Sequence, residues 1–405
     1  MKTLVILLLA AGFGLTTIPA RAGSLSDQLP EGAARVGISG GSAFDSLAEA
    51  IADTAARSLP VVSASAGFTY RYNPALEVFE RSSQTLGPIF LERPDTLGRS
   101  KVNVSVSYQY VKFDAFDGDD IDSLQAPDPI ITNIVSGGVV TGANATDLRY
   151  DLKLVSHVVG LSATYGVLDD LDVNILLPLI ATSFDTGVTS NIVATAPVGG
   201  GFTPATGFSS TDIDGDAFGV GDILLRAKYL FWHDERLHAA AGLTLRLPSG
   251  DEDDFQGVGS FEASPAVYLS TLLWERVSPH FNLAVDLNAD DVSQSQARYG
   301  IGVDMDVLPR LGLSLAFLGR SEFSGIADED DTEFLHLVGG VNGTPQPKPL
   351  LGLDFDRKDY FDLSFGVRFV VWREVMIFAN GLVALNDDGL RNDTVIPVIG
   401  VEGTF

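Results

Sequence analysis

The chain has 405 residues, no cysteine, and 53 acidic against 26 basic residues, for a formal net charge of −27 at pH 7. Without cysteine it has neither disulfides nor thiolate metal sites to stabilise it, and the acidic balance argues against nucleic acid as a partner and against docking on anionic lipid through a basic patch. Its length permits several soluble domains or one large barrel, so patterning must decide between them.

The chain opens with Lys2, an apolar run from Leu4 through Leu9, and a small-residue stretch ending Pro19-Ala20-Arg21-Ala22. These are the three regions of a secretory signal, with cleavage expected after Ala22. No later window reaches the roughly 18 to 20 uninterrupted apolar residues of a spanning helix, so residence in a membrane must be by strands. Between Ser42 and Ala56 the residues Phe44, Leu47, Ala48, Ile51 and Ala55 share one helical face, and Ser42 with Asp45 reads as a capping box. Residues 61–81 then read as a short hairpin turning at Asn73-Pro74, with Phe68, Tyr70 and Tyr72 alternating. Residues 23–100 therefore form a separate N-terminal segment, read as a lumenal or periplasmic plug to whatever follows.

From Lys101 the period changes to two. Val102, Val104, Val106, Tyr108 and Tyr110 alternate with Lys101, Asn103, Ser105, Ser107 and Gln109. A soluble sandwich gives the same alternation, but the connections here are sorted. Short turns at 168–170, 233–236, 275–279, 308–310 and 372–374 alternate with mostly long, acidic connections at 114–146, 186–218, 249–260, 290–296, 321–359 and 386–392. That sorting is the periplasmic and extracellular asymmetry of outer-membrane barrels. The strands at 171–179, 223–231, 237–247, 267–273, 281–287, 299–307, 311–317 and 361–369 keep their apolar face at odd positions.

All three tryptophans, Trp232, Trp274 and Trp372, lie beside short turns together with Tyr165, Tyr229 and Phe281, as an interfacial girdle requires. The expected fold is an all-β, transmembrane antiparallel barrel of about twelve strands over residues 101–405, or about fourteen if the early hairpin joins the wall. The 148–165 segment is overlong and swaps its apolar parity near Leu154-Val155, which predicts either a bulge or a strand projecting beyond the membrane.

The last strand carries Val395, Pro397, Ile399 and Val401 on one face and stops at Phe405. This ending resembles the C-terminal signal by which the outer-membrane assembly machinery recognises its barrels. Five stretches, TLGPIFLERPDTLGR (85–99), GVGDILLRAKY (219–229), LRLPSGDEDD (245–254), LNDDGLR (385–391) and VIPVIGVEGTF (395–405), resemble a bacterial family of outer-membrane transporters associated with phenol meta-cleavage pathways. Ser249 stands where that family more often has threonine. The resemblance implies a barrel similar in idea to the fatty-acid and aromatic-hydrocarbon channels, one that imports apolar or aromatic solutes, and it brings no binding residues with it.

If odd positions face lipid, the lumen receives Asp222, Arg226, Lys228, Arg246, Asp286, Arg298, Asp304, Arg320 and Arg368. Charges of both signs on an inner wall can hold a plug, narrow a channel and set its ion preference, or can simply stiffen the barrel as salt bridges. Leu176, Ile180, Leu224, Met376, Phe378 and Leu382 also point inward, so something apolar must cover them: a plug, a greasy solute path, or both.

Acidic clusters at 114–122, 212–216, 251–254 and 328–331 fall in the long connections and lack EF-hand spacing. Among the five histidines none sits in a zinc-protease or nucleophile-elbow motif. The reading is therefore passive uptake of small molecules, with lipid and solute as partners and no enzyme activity, cofactor or metal expected. The alternatives are a structural or adhesive barrel and a membrane-embedded hydrolase.

Overall fold

The computed structural model describes residues 23–38, 42–65, 67–73, 78–81, 85–234, 236–273, 276–325, 333–337, 345–353, 356–392 and 394–405. The expected signal at 1–22, Trp274 and the acidic run at 328–331 lie outside them.

Twelve antiparallel strands close into a barrel. They are β1 (Val102–Phe113), β2 (Val139–Leu168), β3 (Leu171–Pro197), β4 in two pieces (Thr203–Val220 and Ile223–His233), β5 (Leu237–Leu247) and β6 (Glu262–Thr271). The wall continues with β7 (Val277–Asn288), β8 (Gln296–Leu308), β9 (Leu311–Glu322), β10 (Asp359–Trp372), β11 (Val375–Ala384) and β12 (Ile396–Thr404). Both pieces of β4 pair with β3, so they count as one strand with a break at Gly221-Asp222. The seam is made by β12 on β1, with Val401 opposite Val106, and two bonds finish it: Phe405 N to Val102 O at 2.7 Å and Val102 N to Phe405 O at 3.0 Å. The early hairpin, Tyr70–Asn73 on Val78–Arg81, is a separate two-stranded sheet and does not join the wall.

Two of the expected long connections are largely sheet. β2 runs for 30 residues and β3 for 27, whereas roughly 9 to 11 tilted residues cross a bilayer. The β2–β3–β4 ladder therefore projects far beyond the membrane on the long-connection side, with Ile130–Ser136 added along β2. The apolar parity swap near Leu154-Val155 is this projection. From Thr146 to Gly166 even-numbered residues of β2 stay inside without a break, and its register shifts lie elsewhere, at Ala145/Thr146 and Gly166/Leu168. What changes is the surroundings. Tyr150, Leu152 and Leu154 are buried while Arg149, Asp151 and Lys153 are exposed; from Ser156 downward the inside is small or polar apart from Val158, and Val159, Leu161 and Tyr165 face out.

The same switch occurs at the same height in the neighbours, where Phe113, Leu154 and Phe184 sit side by side within, and Lys112, Val155, Ser183 and Asp216 side by side without. Directly below, the outward Tyr110, His157 and Phe218 mark the outer edge of the apolar band, and the Tyr108 hydroxyl meets His157 Nδ1 at 2.8 Å. The other edge carries exposed Tyr165, Tyr229, Trp232, Phe281, Trp372 and Phe405. From His157 to Tyr165 the chain advances about 26 Å at about 3.3 Å per residue, close to the roughly 25 Å apolar band of such barrels before tilt is taken into account.

The N-terminal segment lies inside. Helix α1 (Gln28–Arg35) was not anticipated: it is eight residues long and carries Pro30 in its first turn, too short for periodicity to reveal it. Helix α2 (Ser42–Ser58) overruns its expected end by two residues. Both pack into the projecting part, where Leu29, Phe44, Leu47 and Ile51 share one apolar cluster with Leu148, Leu152, Phe184, Val188 and Phe255. Polar contacts fix α1 in place: Tyr150 donates to Leu29 O at 2.8 Å and Gln28 Nε2 to Phe184 O at 2.6 Å. Beyond α2 the chain descends through the lumen and reaches the short-turn end, where Ser100 N donates to Gly166 O at 2.8 Å before β1 begins.

Candidate functional site

The lower lumen holds the descending segment by charged and amide groups. Lys228 Nζ donates to Arg93 O at 2.9 Å and to Ser65 Oγ at 3.2 Å, with Glu92 at 3.9 Å. Arg368 bridges Glu402, 3.0 Å, and Pro88 O, 2.6 Å, while Glu402 accepts from Gly67 N at 2.7 Å. Asn282 clasps Glu92 by both backbone groups, accepting its N–H at 2.6 Å and donating to its carbonyl at 2.8 Å. At the short-turn end Asp95 meets His238 Nδ1 at 2.7 Å and Leu97 N donates to Asp172 at 2.8 Å. Glycine on the wall gives room for the close approach: a Cβ at Gly302 would stand 2.7 Å from Leu91. Met376 and Phe378, two of the inward apolar residues, are covered here, by Phe68 with Leu86 and by Ile89 respectively.

Above this anchored stretch, residues 59–63 pass between two spaces. One, of about 60 Å3, is bounded by Leu176, Ile180, Val158 and Leu224 on the β2–β4 side. The other, of about 240 Å3, faces β5 to β11 and reaches from the end of α2 to Phe90 and Glu92. Five residues expected in the lumen line this larger cavity: Arg226, Arg246, Asp286, Arg298 and Arg320. Asp286 takes Arg298 by two bonds, 2.5 and 2.7 Å, and Gln296 by a third at 2.8 Å. Arg246 approaches Glu262 at 3.4 Å, and Glu262 also takes Arg57 from the last turn of α2 at 2.5 Å. Arg226 donates to Val62 O at 3.1 Å, and Arg320 to Arg57 O at 2.9 Å.

Sequence reasoning missed Arg57, Glu92, Glu262, Tyr360, Asp362 and Arg391 as lining groups. Glu262 opens a strand whose expected start was 267, Arg391 sits in a connection, and Arg57 ends a helix, so strand parity could not reach them. Tyr360 lies between two guanidiniums, Arg320 at 3.7 Å and Arg391 at 4.7 Å from its ring centroid.

The break in β4 joins the two halves of the barrel. Asp222 points inward and accepts from Gly250 N, 3.1 Å, and Val258 N, 3.0 Å, so it ties down the 248–261 connection instead of lining the large cavity. Ser249 Oγ donates to Gly221 O at 2.9 Å and accepts from Ile223 N at 3.0 Å. Two of the motif stretches singled out in the sequence, 219–229 and 245–254, thus meet at this joint, and a third, 85–99, crosses the lumen beneath it.

The remaining candidate, Asp304, belongs to a buried row. Its carboxylate meets His280 Nε2, and His280 Nδ1 meets Ser270 Oγ at 2.5 Å. A serine, a histidine and an aspartate in sequence suggest a hydrolase, but all three are under a tenth exposed and none borders either cavity described above. The row reads as a buried hydrogen-bond chain that ties neighbouring strands of the wall together. Among the described residues no three His, Asp or Glu side chains converge as a metal site. The acidic row Asp212, Asp214 and Asp216 lies along the outward face of β4.

This joint and the strands around it carry a recognisable family pattern. Residues 134–332 match the family described as "Putative MetA-pathway of phenol degradation". The match takes in β2 through β9, the β4 joint and most of the cavity wall. No curated protein matches the sequence. Among solved structures the chain is similar to an outer-membrane channel of Pseudomonas putida F1, at 14% identity over 77% of this chain and 98% of that one, with a TM-score of 0.46. It is also similar to a Pseudomonas aeruginosa FadL homologue, at 11% identity over 77% and 92% of the two chains and a TM-score of 0.35. The Pseudomonas putida toluene transporter TodX gives 9% identity over 78% and 91%, with a TM-score of 0.33. None of these likenesses lends this chain a substrate.

Proposed function

We propose that the protein is an outer-membrane channel for passive uptake of small molecules with an apolar or aromatic body, and that residues 23–100 are its plug. One observation carries this reading: a lipid-facing barrel encloses a cavity beside a threaded segment that is held mainly by polar contacts. A segment held by hydrogen bonds and ion pairs can shift among a few packings more readily than a close-packed apolar core, which has to open a void to move. The inward Leu176, Ile180 and Leu224 beside residues 59–63 supply an apolar wall for the solute body. Lys228 and Arg368 belong to the plug's anchorage in this reading, Asp304 to the wall through His280, and Arg226, Arg246, Asp286, Arg298 and Arg320 to the path. The strand ending at Phe405 serves in assembly, presenting the closing edge to the outer-membrane insertion machinery.

Planar-bilayer conductance of residues 23–405, compared with a form lacking 23–99 whose folding is verified by heat-modifiable mobility, tests the plug. A full chain of low but measurable conductance and a shorter form that conducts many times more are expected. Equal, large conductance from both would make it an open porin and silence from both would favour a structural barrel. Uptake of aromatics into proteoliposomes no faster than that of sugars would remove the proposed solute class.

A further inference from the structure

We infer that the larger cavity selects organic anions: solutes in which a carboxylate, or a group of like charge and size, is joined to a small apolar or aromatic body. This deepens the channel reading and rests on it.

The charge on the cavity wall runs against that of the chain. The protein as a whole is at −27, yet six arginines and four carboxylates border this space. The carboxylates are largely spoken for. Glu262 serves Arg57 and Arg246, Asp286 is held by both prongs of Arg298, and Asp362 meets Arg391 at 3.1 Å. Glu92 is turned toward the plug anchorage, where Ser65 and Ala64 N donate to it. Among the described residues neither Arg226 nor Arg320 has a carboxylate within 4 Å; Arg226 donates instead to Val62 O of the threaded segment, and Arg320 to Arg57 O and, at 3.5 Å, to Ser58 Oγ at the end of α2. Glu322, two residues along the strand from Arg320, accepts from Lys358 N at 3.2 Å and does not border the cavity.

Two guanidiniums whose close partners are neutral carbonyls are less compensated than their ion-paired neighbours, and an entering anion supplies the missing charge; a cation or a neutral solute does not. Guanidinium presents a planar fork that fits a carboxylate by two bonds. One of the two is also held ready: Tyr360 keeps Arg320 stacked on its ring, 3.7 Å from the centroid. The rest of the solute is accommodated by Leu224, Leu382, Phe90 and Leu318 on the same wall. At about 240 Å3 the space holds on the order of eight waters at about 30 Å3 each, enough for one small ring compound and its charged group.

The test uses the full chain from Gly23 in planar bilayers and in proteoliposomes at pH 7. The zero-current potential in a potassium chloride gradient reads ion preference, and uptake of benzoate against benzamide compares two solutes of one shape that differ in charge. Anion preference is expected, with benzoate entering about threefold faster or more. The double variant Arg226→Gln, Arg320→Gln should lose most of that preference, read as the ratio of benzoate to benzamide uptake in the same vesicles. Asp362→Asn, which removes a negative charge from the same wall, should raise the anion preference, a change of sign that damage to the plug cannot imitate. Cation preference, equal entry of benzoate and benzamide, or no gain in Asp362→Asn would overturn the inference and leave the channel standing. No conductance and no uptake of either solute would overturn the channel reading and this inference with it.

Discussion

The projecting part of the barrel and the part within lipid are made from the same strands in the same register, yet their hydrophobic faces are opposite. In β2 the inward residues above the switch are Tyr150, Leu152 and Leu154, and below it Ser156, Gly160 and Thr164. In β1 the inward Asn103, Ser107 and Gln109 give way to Val111 and Phe113. Strand geometry fixes only which side a residue is on. Whether that side is apolar depends on the solvent beyond the wall: lipid in one part, which calls for apolar residues outside, and water in the other, which calls for them inside. Each half accordingly holds the N-terminal segment by its own means, ion pairs and amides below, apolar packing on α1 and α2 above.

The sharpest way to separate the two anchorages is Arg368→Ala. It leaves Glu402 buried without its partner and cuts the bond to Pro88 O, at a cost of about 3 to 5 kcal/mol. Hydrogen exchange should quicken in 64–97 while α1 and α2 stay protected; equal loosening of both would mean that the segment moves as one body. Next in size is Leu161→Arg, midway between His157 and Tyr165 on the lipid face, which should cost about 2 to 4 kcal/mol in urea unfolding from vesicles. The companion change Asp151→Arg, outward on the same strand but above the switch, should cost almost nothing, and a matching penalty would put the membrane edge in the wrong place.

Leu152→Ala should cost toward the lower end of about 2 to 5 kcal/mol, because helices can settle into the space left. Limited proteolysis should then release residues 23–58 with the barrel still intact.

The smallest effect concerns pH. Burial, and then the charges of Asp253, Glu49, Asp251 and Asp53, raise the pKa of Glu252, which lies in the 248–261 connection. That connection also holds the start of α1, through Ser26 N on Asp253 O and Leu25 N on Asp254. A carboxyl group whose folded pKa is raised contributes stability that is fully present below its unfolded value, about 4.3, and is lost as pH rises through the folded one. Protease protection of 23–58 should therefore improve as pH falls from neutrality into the acid range, and Glu252→Gln should flatten that dependence. Weaker protection at acid pH would reverse the assignment.

Much of the wall was legible in the sequence. Strands in lipid must alternate without relief, so the runs from Val102 and from Leu171 declare both strand and side, and the sorted connections declare the direction of each strand. The connections at 114–146 and 186–218 were not legible as sheet, because their Gly, Asp and Thr residues read as loop, whereas an antiparallel ladder is held by main-chain bonds that any of them can make. The inward placement of Arg226, Arg246, Arg298 and Arg320 follows from parity alone. Their division of labour does not: nothing in the spacing says that Asp286 neutralises Arg298 or that Arg226 turns to Val62.

What the sequence determined by itself was the period of each strand, a count of twelve or fourteen strands and the residues offered to lipid, since these follow from the geometry of single strands and the demand of one apolar solvent. What only the tertiary structure decided was the content of the lumen. Arg57 meets Glu262 across 205 residues of chain and Arg368 meets Pro88 across 280, so the charge left over around the cavity is set by pairings that no local pattern contains.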